Sequence, residues 1–278
     1  MTWWEALLLG VVQGLTEFLP ISSSAHVSIV GQLIGSEDPG SAFTAITQIG
    51  TELAVIVYFA RDIGSIIATW AKSLVGRADP RDPDARMGWF VIVGSVPIVA
   101  LGLVFQDAID THLRNLWITV TMLAGIGILL WIADRAARHT HELDQLTWRD
   151  AIVYGLAQAC ALIPGVSRSG ATTAAGLAMG YTRPAATRYA FLLAIPAVLG
   201  SGIFKLFDIN SPGQPAPAWG PIILATVVAF FVGLAVIHWL MRYISGHDFT
   251  IFVVYRLALA VVVAVLLLTG VLQPLAQF

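Results

Sequence analysis

Charge is what this chain most lacks. Asp, Glu, Lys and Arg make up 12% of its 278 residues, about half the ~25% usual in a soluble domain. With 57% of residues hydrophobic and a mean hydropathy of +0.80, there are too few polar side chains to cover a water-facing surface. Repeated apolar segments therefore read as a polytopic membrane protein. Cysteine is almost missing too: Cys160 stands alone, which excludes an internal disulfide and any multi-thiolate metal centre. A net charge of −2 gives no basic footprint for nucleic acid. The opening MTWWEALLLG has Glu5 in place of the basic n-region of a secretory signal, so it is expected to belong to the mature protein. Neither a low-complexity segment nor a soluble domain stands out.

What is present is organised around residues 10–26, GVVQGLTEFLPISSSAH. Gln13 and Glu17 are one helical turn apart on one face. Pro20 has no N–H to donate and ends that helix, and Ser22, Ser23 and Ser24 suit the N-cap of a second short helix. The pattern predicts a hairpin that enters the bilayer and returns. Broken backbone at that depth is tolerated only where protein or a water-filled cavity surrounds it, so the stretch predicts a cavity.

Apolar spans follow at 43–60, 88–105 (with Pro97 inside) and 116–133, each long enough for a ~30 Å core at ~1.5 Å per residue. A polar linker at 134–150 comes next. The pattern then restarts: YGLAQACALIPGVSRSGAT, 154–172, matches LGVVQGLTEFLPISSSAH, 9–26, in its glycine, glutamine, proline and serine cluster. Aligned on the prolines, the two stretches need one gap. Further spans lie at 187–204, 220–240 and 250–270, and Asp62-Ile63 and Asp208-Ile209 close matching ones. The prediction is a single all-α membrane domain with two repeats, 1–134 and 151–278, each one re-entrant hairpin plus three crossings. Three is odd, so the second repeat is inverted, as in many transporters. Loops 61–87, 134–150, 180–188 and 241–249 hold eleven of the fifteen basic residues. The positive-inside rule puts those loops in the cytoplasm. Both termini and the mouth of the first hairpin then face outward.

The residues that carry chemistry cluster in the hairpins. An ionisable group at membrane depth costs ~2.5–3.5 kcal/mol even on the lenient insertion scale. Glu17 is therefore a functional candidate, able to hold a divalent cation or take a proton, with Gln13 either its partner or simple helix glue. Ser22, Ser23, Ser24 and His26 follow the break; a serine becomes a nucleophile when a base such as His26 or Glu17 is close. In Pro164-Gly165-Val166-Ser167-Arg168-Ser169-Gly170 the backbone breaks and a short helix begins, with N–H groups ready for an anion and Arg168 offering a fork of donors to phosphate. A purely structural Glu17–Arg168 ion pair is the competing reading. Glu52 and Gln48 extend the polar cluster, Cys160 reads as packing, and Arg256 in the last span could snorkel, pair or assist in the site. Together these groups suit an anionic head group on an apolar tail: a lipid phosphate handled in the membrane, either cleaved or transported.

At these motifs the chain resembles the bacterial undecaprenyl pyrophosphate phosphatase, or bacitracin-resistance, family over nearly its whole length. The family's first motif matches Gln13 to Glu17 and runs on through Pro20 to the serines and His26; the second matches Pro164 to Thr172. The resemblance implies removal of the terminal phosphate from a C55 isoprenyl diphosphate in the bacterial cytoplasmic membrane, at an outward-facing site, with magnesium or calcium held in part by Glu17. Carried over by position, Glu17, Ser23, His26, Ser167, Arg168 and Thr172 correspond to functional residues of the family, which is often homodimeric. The expected catalytic set is Glu17, Ser23, His26 and Arg168, with Gln13, Ser22, Ser24, Ser167, Ser169 and Thr172 around the substrate. Two positions depart from the family pattern: Gln13 replaces a common glutamate, and Ser24-Ala25 replaces threonine-glycine. The rival reading is a polyprenyl-phosphate transporter that binds the same head group without hydrolysis.

Overall fold

A computed structural model describes residues 1–35, 40–105, 109, 113, 115–208 and 219–275. Among these residues there is no strand beyond an isolated bridge between His141 and Tyr181. In chain order the α-helices are α1 (Trp3–Thr16), α2 (Ser23–Leu33), α3 (Gly40–Tyr58), α4 (Ala60–Leu74), α5 (Pro83–Val104), α6 (Leu116–Ala136), α7 (Trp148–Ala159), α8 (Arg168–Ala178), α9 (Arg183–Asp208), α10 (Trp219–Tyr243) and α11 (Thr250–Leu268). The expected match of Asp208-Ile209 to Asp62-Ile63 lies partly outside the described residues.

Five helices, α5, α6, α9, α10 and α11, are long and apolar enough to cross a bilayer. A sixth candidate is α3 continued by α4, bent by 81° at Phe59. The loop expected over 61–87 thus begins with a helix. Its sequence is too polar to read as a span, yet Ile63 and Ile66 lie against the main core and the Trp70 ring meets Trp89 of α5 at 5.7 Å. Asp62 in its first turn and Lys72 in its last complement the helix dipole.

Both hairpins form, α1–α2 and α7–α8, and they share one construction. Ser22 and Ser167 cap the second arm of each, with φ of 73° and 68°, and their hydroxyls accept the N–H of Ala25 and of Gly170. Aligned on these caps, no gap is needed: Gln13 precedes Ser22 by the same spacing as Gln158 precedes Ser167. Only the proline shifts by one position between the repeats. In the same register Gly10 matches Gly155, and both let a neighbouring backbone approach closely. A Cβ on Gly10 would lie 2.6 Å from Ala225 O of α10, and one on Gly155 would lie 2.5 Å from Gly94 O of α5. The first arm of each repeat therefore packs on a span of the other.

The hairpins enter from opposite ends. Trp3, at the start of α1, lies against Gly220 at the start of α10. The C-terminal segment joins that end, where Leu116 N donates to Pro274 O at 2.8 Å and Gln273 N donates to Gln32 at 3.0 Å. At the other end Trp148, starting α7, stacks edge-on to Phe90 at 4.9 Å. The basic loops gather there. Arg188 pairs with Asp62 at 2.6 Å, and Arg135 with Asp248 at 3.6 Å. Buried Asp134 takes Arg183 Nε at 2.6 Å and the N–H of Phe249 at 3.0 Å, which ties the end of α6 to the starts of α9 and α11.

Candidate active site

The tips of the two hairpins meet in the middle of the bundle. Glu17 is the C-cap residue of α1, and the adjacent Phe18 anchors that tip edge-on against Phe191 of α9 at 5.4 Å. Across the gap Ser169 donates its hydroxyl to Leu19 O at 3.1 Å, which clasps the start of α8 to the end of the first arm. Arg168 opens α8, and its Nη2 stands 3.6 Å from Glu17 Oε1. That is an ion-pair distance, too long for a direct hydrogen bond.

The other carboxylate oxygen is surrounded by donors. Glu17 Oε2 accepts from Gln13 Nε2 at 2.7 Å, from Ser23 Oγ at 2.6 Å and from Gln48 Nε2 of α3 at 3.4 Å. Gln13 is fully buried, and its own Oε1 has no hydrogen-bond partner among the described residues. Its amide is oriented by the carboxylate, because turning it over would set two acceptors face to face.

His26 is held on both sides. Its Nδ1 is 2.7 Å from Ser22 O and its Nε2 is 2.7 Å from the Tyr255 hydroxyl of α11, with the two rings stacked at 5.6 Å. A carbonyl only accepts, so Nδ1 carries the proton. In the neutral ring Nε2 then accepts from Tyr255. Of the three serines at this break, Ser23 is the one whose hydroxyl is bonded to a basic group, the Glu17 carboxylate. The other serines serve the chain itself: Ser22 bonds Ser24 at 3.1 Å, Ser167 bonds Ser169 at 3.2 Å, and Thr172 donates to Arg168 O at 2.7 Å.

Arg256, left without a partner by sequence reasoning, is the residue that binds the two breaks together. It is fully buried. Its Nη1 donates to Pro20 O at 3.0 Å in the first break, and its Nη2 to Gly165 O at 2.9 Å and Val166 O at 3.2 Å in the second. Nε and Nη2 also reach Leu123 O and Met122 O of α6, at 2.9 and 3.0 Å. The Pro20, Gly165 and Val166 carbonyls are ones that the broken helices leave open, and one guanidinium serves both hairpins. Gly165 sits at φ +92° with Thr119 O 2.6 Å from where a Cβ would be, so no larger residue fits there. An arginine inside the most apolar span was the available signal; Tyr255 carried none.

Next to this cluster is a cavity of about 510 Å³. Ser24, Gln48 and Arg168 supply polar wall, while Ile98 and Leu103 of α5 and Phe204 of α9 supply apolar wall. Besides the two hairpins, the lining comes chiefly from the ends of α3, α5 and α9 that point away from the basic loops, Lys205 of α9 included. Glu17 and Ser23 connect to it through Gln48 and Arg168.

The fold and site define a class: a multi-pass helical membrane protein whose two re-entrant hairpins, entering from opposite ends, set a carboxylate against an arginine beside a largely apolar cavity. The description "Bacitracin resistance protein BacA" matches residues 6–262, and the chain belongs to that family. It is 61% identical over 276 residues to the undecaprenyl-diphosphatase of Micrococcus luteus, covering 98% of this chain and 100% of that one. It is 60% identical over 268 residues to the undecaprenyl-diphosphatase of Kineococcus radiotolerans, covering 96% and 95%. To the undecaprenyl-diphosphatase 2 of Streptomyces coelicolor it is 55% identical over 286 residues, covering 99% and 98%.

Proposed function

We propose that this chain is a membrane phosphatase that converts undecaprenyl diphosphate to undecaprenyl phosphate and inorganic phosphate, returning the lipid carrier to cell-wall synthesis. The activity is the one for which its relatives are named. The observation that carries it to these residues is the meeting of Glu17 and Arg168 at 3.6 Å, beside a cavity with a polar end and apolar walls. Arg168 and the first N–H groups of α8 bind the diphosphate, since a helix start and a guanidinium both favour phosphate oxygens. The apolar wall takes the first part of the isoprenyl tail.

In the reaction Ser23 Oγ attacks the terminal phosphorus while its proton passes to Glu17 Oε2. The bond from that phosphorus to the bridging oxygen breaks, and undecaprenyl phosphate leaves, taking up the proton. Water then cleaves the phosphoserine, releasing inorganic phosphate and restoring the hydroxyl. His26 holds the start of α2 through Ser22 and Tyr255 and so keeps Ser23 on Glu17. Phosphoryl transfer depends chiefly on positioning and charge neutralisation.

Among the described residues no three His, Cys, Asp or Glu side chains converge to hold a metal. The site offers Glu17 Oε1, a hard carboxylate oxygen that stands at ion-pair distance from Arg168. That fits a divalent cation such as magnesium or calcium that takes its remaining ligands from water and the diphosphate, as magnesium usually does. Such an ion would add positive charge where the phosphate oxygens become more negative.

The chain is placed in a bacterial cytoplasmic membrane as one domain of two repeats joined by 135–150. The basic loops lie in the cytoplasm, and the termini and cavity mouth face outward. Homodimerisation rests on the family resemblance alone, and the site needs only one chain. The test is phosphate release by detergent-purified protein, followed by acid trapping with substrate labelled in the terminal phosphate. Release with label on Ser23 is expected. Binding without release would make the chain a transporter, and label on another residue would reject the serine route.

A further inference from the structure

Arg168 also lines a second, much smaller cavity of about 20 Å³. Its polar wall is Glu17, Glu52, Arg168 and Ser169, and its apolar wall includes Phe18 and Phe191. Glu52 comes from the middle of α3 and is 2% exposed. A carboxyl group at that depth in an apolar bundle is costly, and the mechanism above does not use it. Its Oε1 is buried with no hydrogen-bond partner among the described residues, and the same is true of Arg168 Nε. Glu52 and Arg168, each with an unpartnered buried polar atom, therefore line the same small cavity. The charged groups that face Glu52 are Arg168 and Glu17.

Their chemistry is complementary, and the space fits one connecting molecule. A water needs a cavity of roughly 10–15 Å³ or more on this measure, and two to four polar partners. Arg168 Nε–H donates to such a water, which donates in turn to Glu52 Oε1. Glu17 and Ser169 line the same cavity and offer the water further polar partners. Arg168 lines the large cavity as well as the small one. A guanidinium held at Nε is fixed in plane, with its terminal nitrogens presented to the substrate side. Without that hold, its side-chain contact is the loose 3.6 Å pairing with Glu17.

We propose that Glu52 is a positioning residue which, through one buried water, fixes the Arg168 guanidinium in the orientation that binds the diphosphate. The proposal rests on the reading of Arg168 as the anion site. Glu52 touches no substrate. It acts through Arg168, so its loss shows chiefly as weaker binding of the head group.

The test compares Glu52→Leu and Glu52→Gln with the parent protein in detergent, measuring kcat, KM for the lipid diphosphate, inhibition by inorganic pyrophosphate and thermal stability. Glu52→Leu should raise KM and weaken pyrophosphate inhibition about tenfold, the scale of one hydrogen bond to a charged group, with kcat within about threefold. Stability should hold or rise, because replacing a buried carboxyl by a hydrocarbon of similar size relieves desolvation. Glu52→Gln keeps an acceptor for the water and should restore most of the affinity. In an Arg168→Lys background, which has no Nε–H in that place, Glu52→Leu should have less than about a twofold further effect.

Unchanged KM and pyrophosphate inhibition in folded Glu52→Leu would overturn the proposal. So would a fall in kcat at constant KM, or a changed divalent-cation requirement at constant KM, since each would place Glu52 in a different role. If Glu52→Leu fails to fold, a Glu52→Gln protein with tenfold weaker pyrophosphate inhibition rejects the water bridge and one close to the parent supports it. Arg168→Ala separates the two layers. If it loses pyrophosphate inhibition while Glu52→Leu keeps it, only the Glu52 role falls. If Arg168→Ala keeps it, the anion site falls and the Glu52 role goes with it.

Discussion

Arg256 is the residue on which the site's geometry most depends, although it contacts neither Glu17 nor Arg168. Its donors satisfy Pro20 O, Gly165 O and Val166 O, and each buried carbonyl left without a donor costs ~1–3 kcal/mol. Arg256→Met should therefore remove about 3 kcal/mol or more and lower the thermal midpoint by roughly 10 °C. Both hairpins should loosen together and activity should be lost; a scanning-fluorescence melt in detergent reads the shift. Gln13 leads to a different prediction. Its Nε2 donates to Glu17 Oε2, so a neutral amide stands beside the carboxylate. Gln13→Glu would bring two carboxylates together and make the site depend more on positive charge. The half-saturating magnesium concentration should fall about tenfold, on the scale of one added charge at close range. A magnesium titration that superimposes on the parent's would show that this position does not face the ion.

At the scale of elements, the site is aimed by close helix contacts. Gly10 lets α1 touch α10, and Gly155 lets α7 touch α5; the ends of α1 and α7 lead to Glu17 and toward Arg168. Alanine at Gly10 or Gly155 should cost ~1–3 kcal/mol by overpacking. It should reduce turnover by more than that loss of stability explains. Gly64→Ala, in α4 with open space around it, is the control expected to leave both unchanged. Equal behaviour of the three variants would separate the catalytic geometry from this packing. The hairpins were legible in the sequence because Pro20, Pro164 and Gly165 interrupt apolar runs and serines follow. Their equivalence was only half legible, since the prolines invite an alignment one residue out of register and the capping serines give the true one. Helix α4 was not legible as an element: its apolar residues suffice to lie on a bundle but not to cross a membrane. Nor were the partners of Arg256, which are backbone carbonyls that every residue possesses and no side chain advertises.

Across the whole molecule, exchange between the repeats makes one site from two halves. Each first arm packs on a span of the other half, each hairpin enters from its own end, and the two tips reach the same place. The basic loops sit together at one end, paired through Asp62, Asp134 and Asp248. The cavity lining comes from the opposite end of the spans. This sidedness was legible from the distribution of arginine and lysine alone. The contact between Glu17 and Arg168 was legible only as a wager on the fold, because nothing in either hairpin by itself specifies the other. The account stands on that contact acting on a lipid diphosphate. Its most direct test is inorganic phosphate released from undecaprenyl diphosphate by purified Arg168→Ala protein, shown by its elution profile and melt to be folded. Turnover reduced by about a thousandfold or more is the predicted result. Release within a few-fold of the parent rate would contradict it.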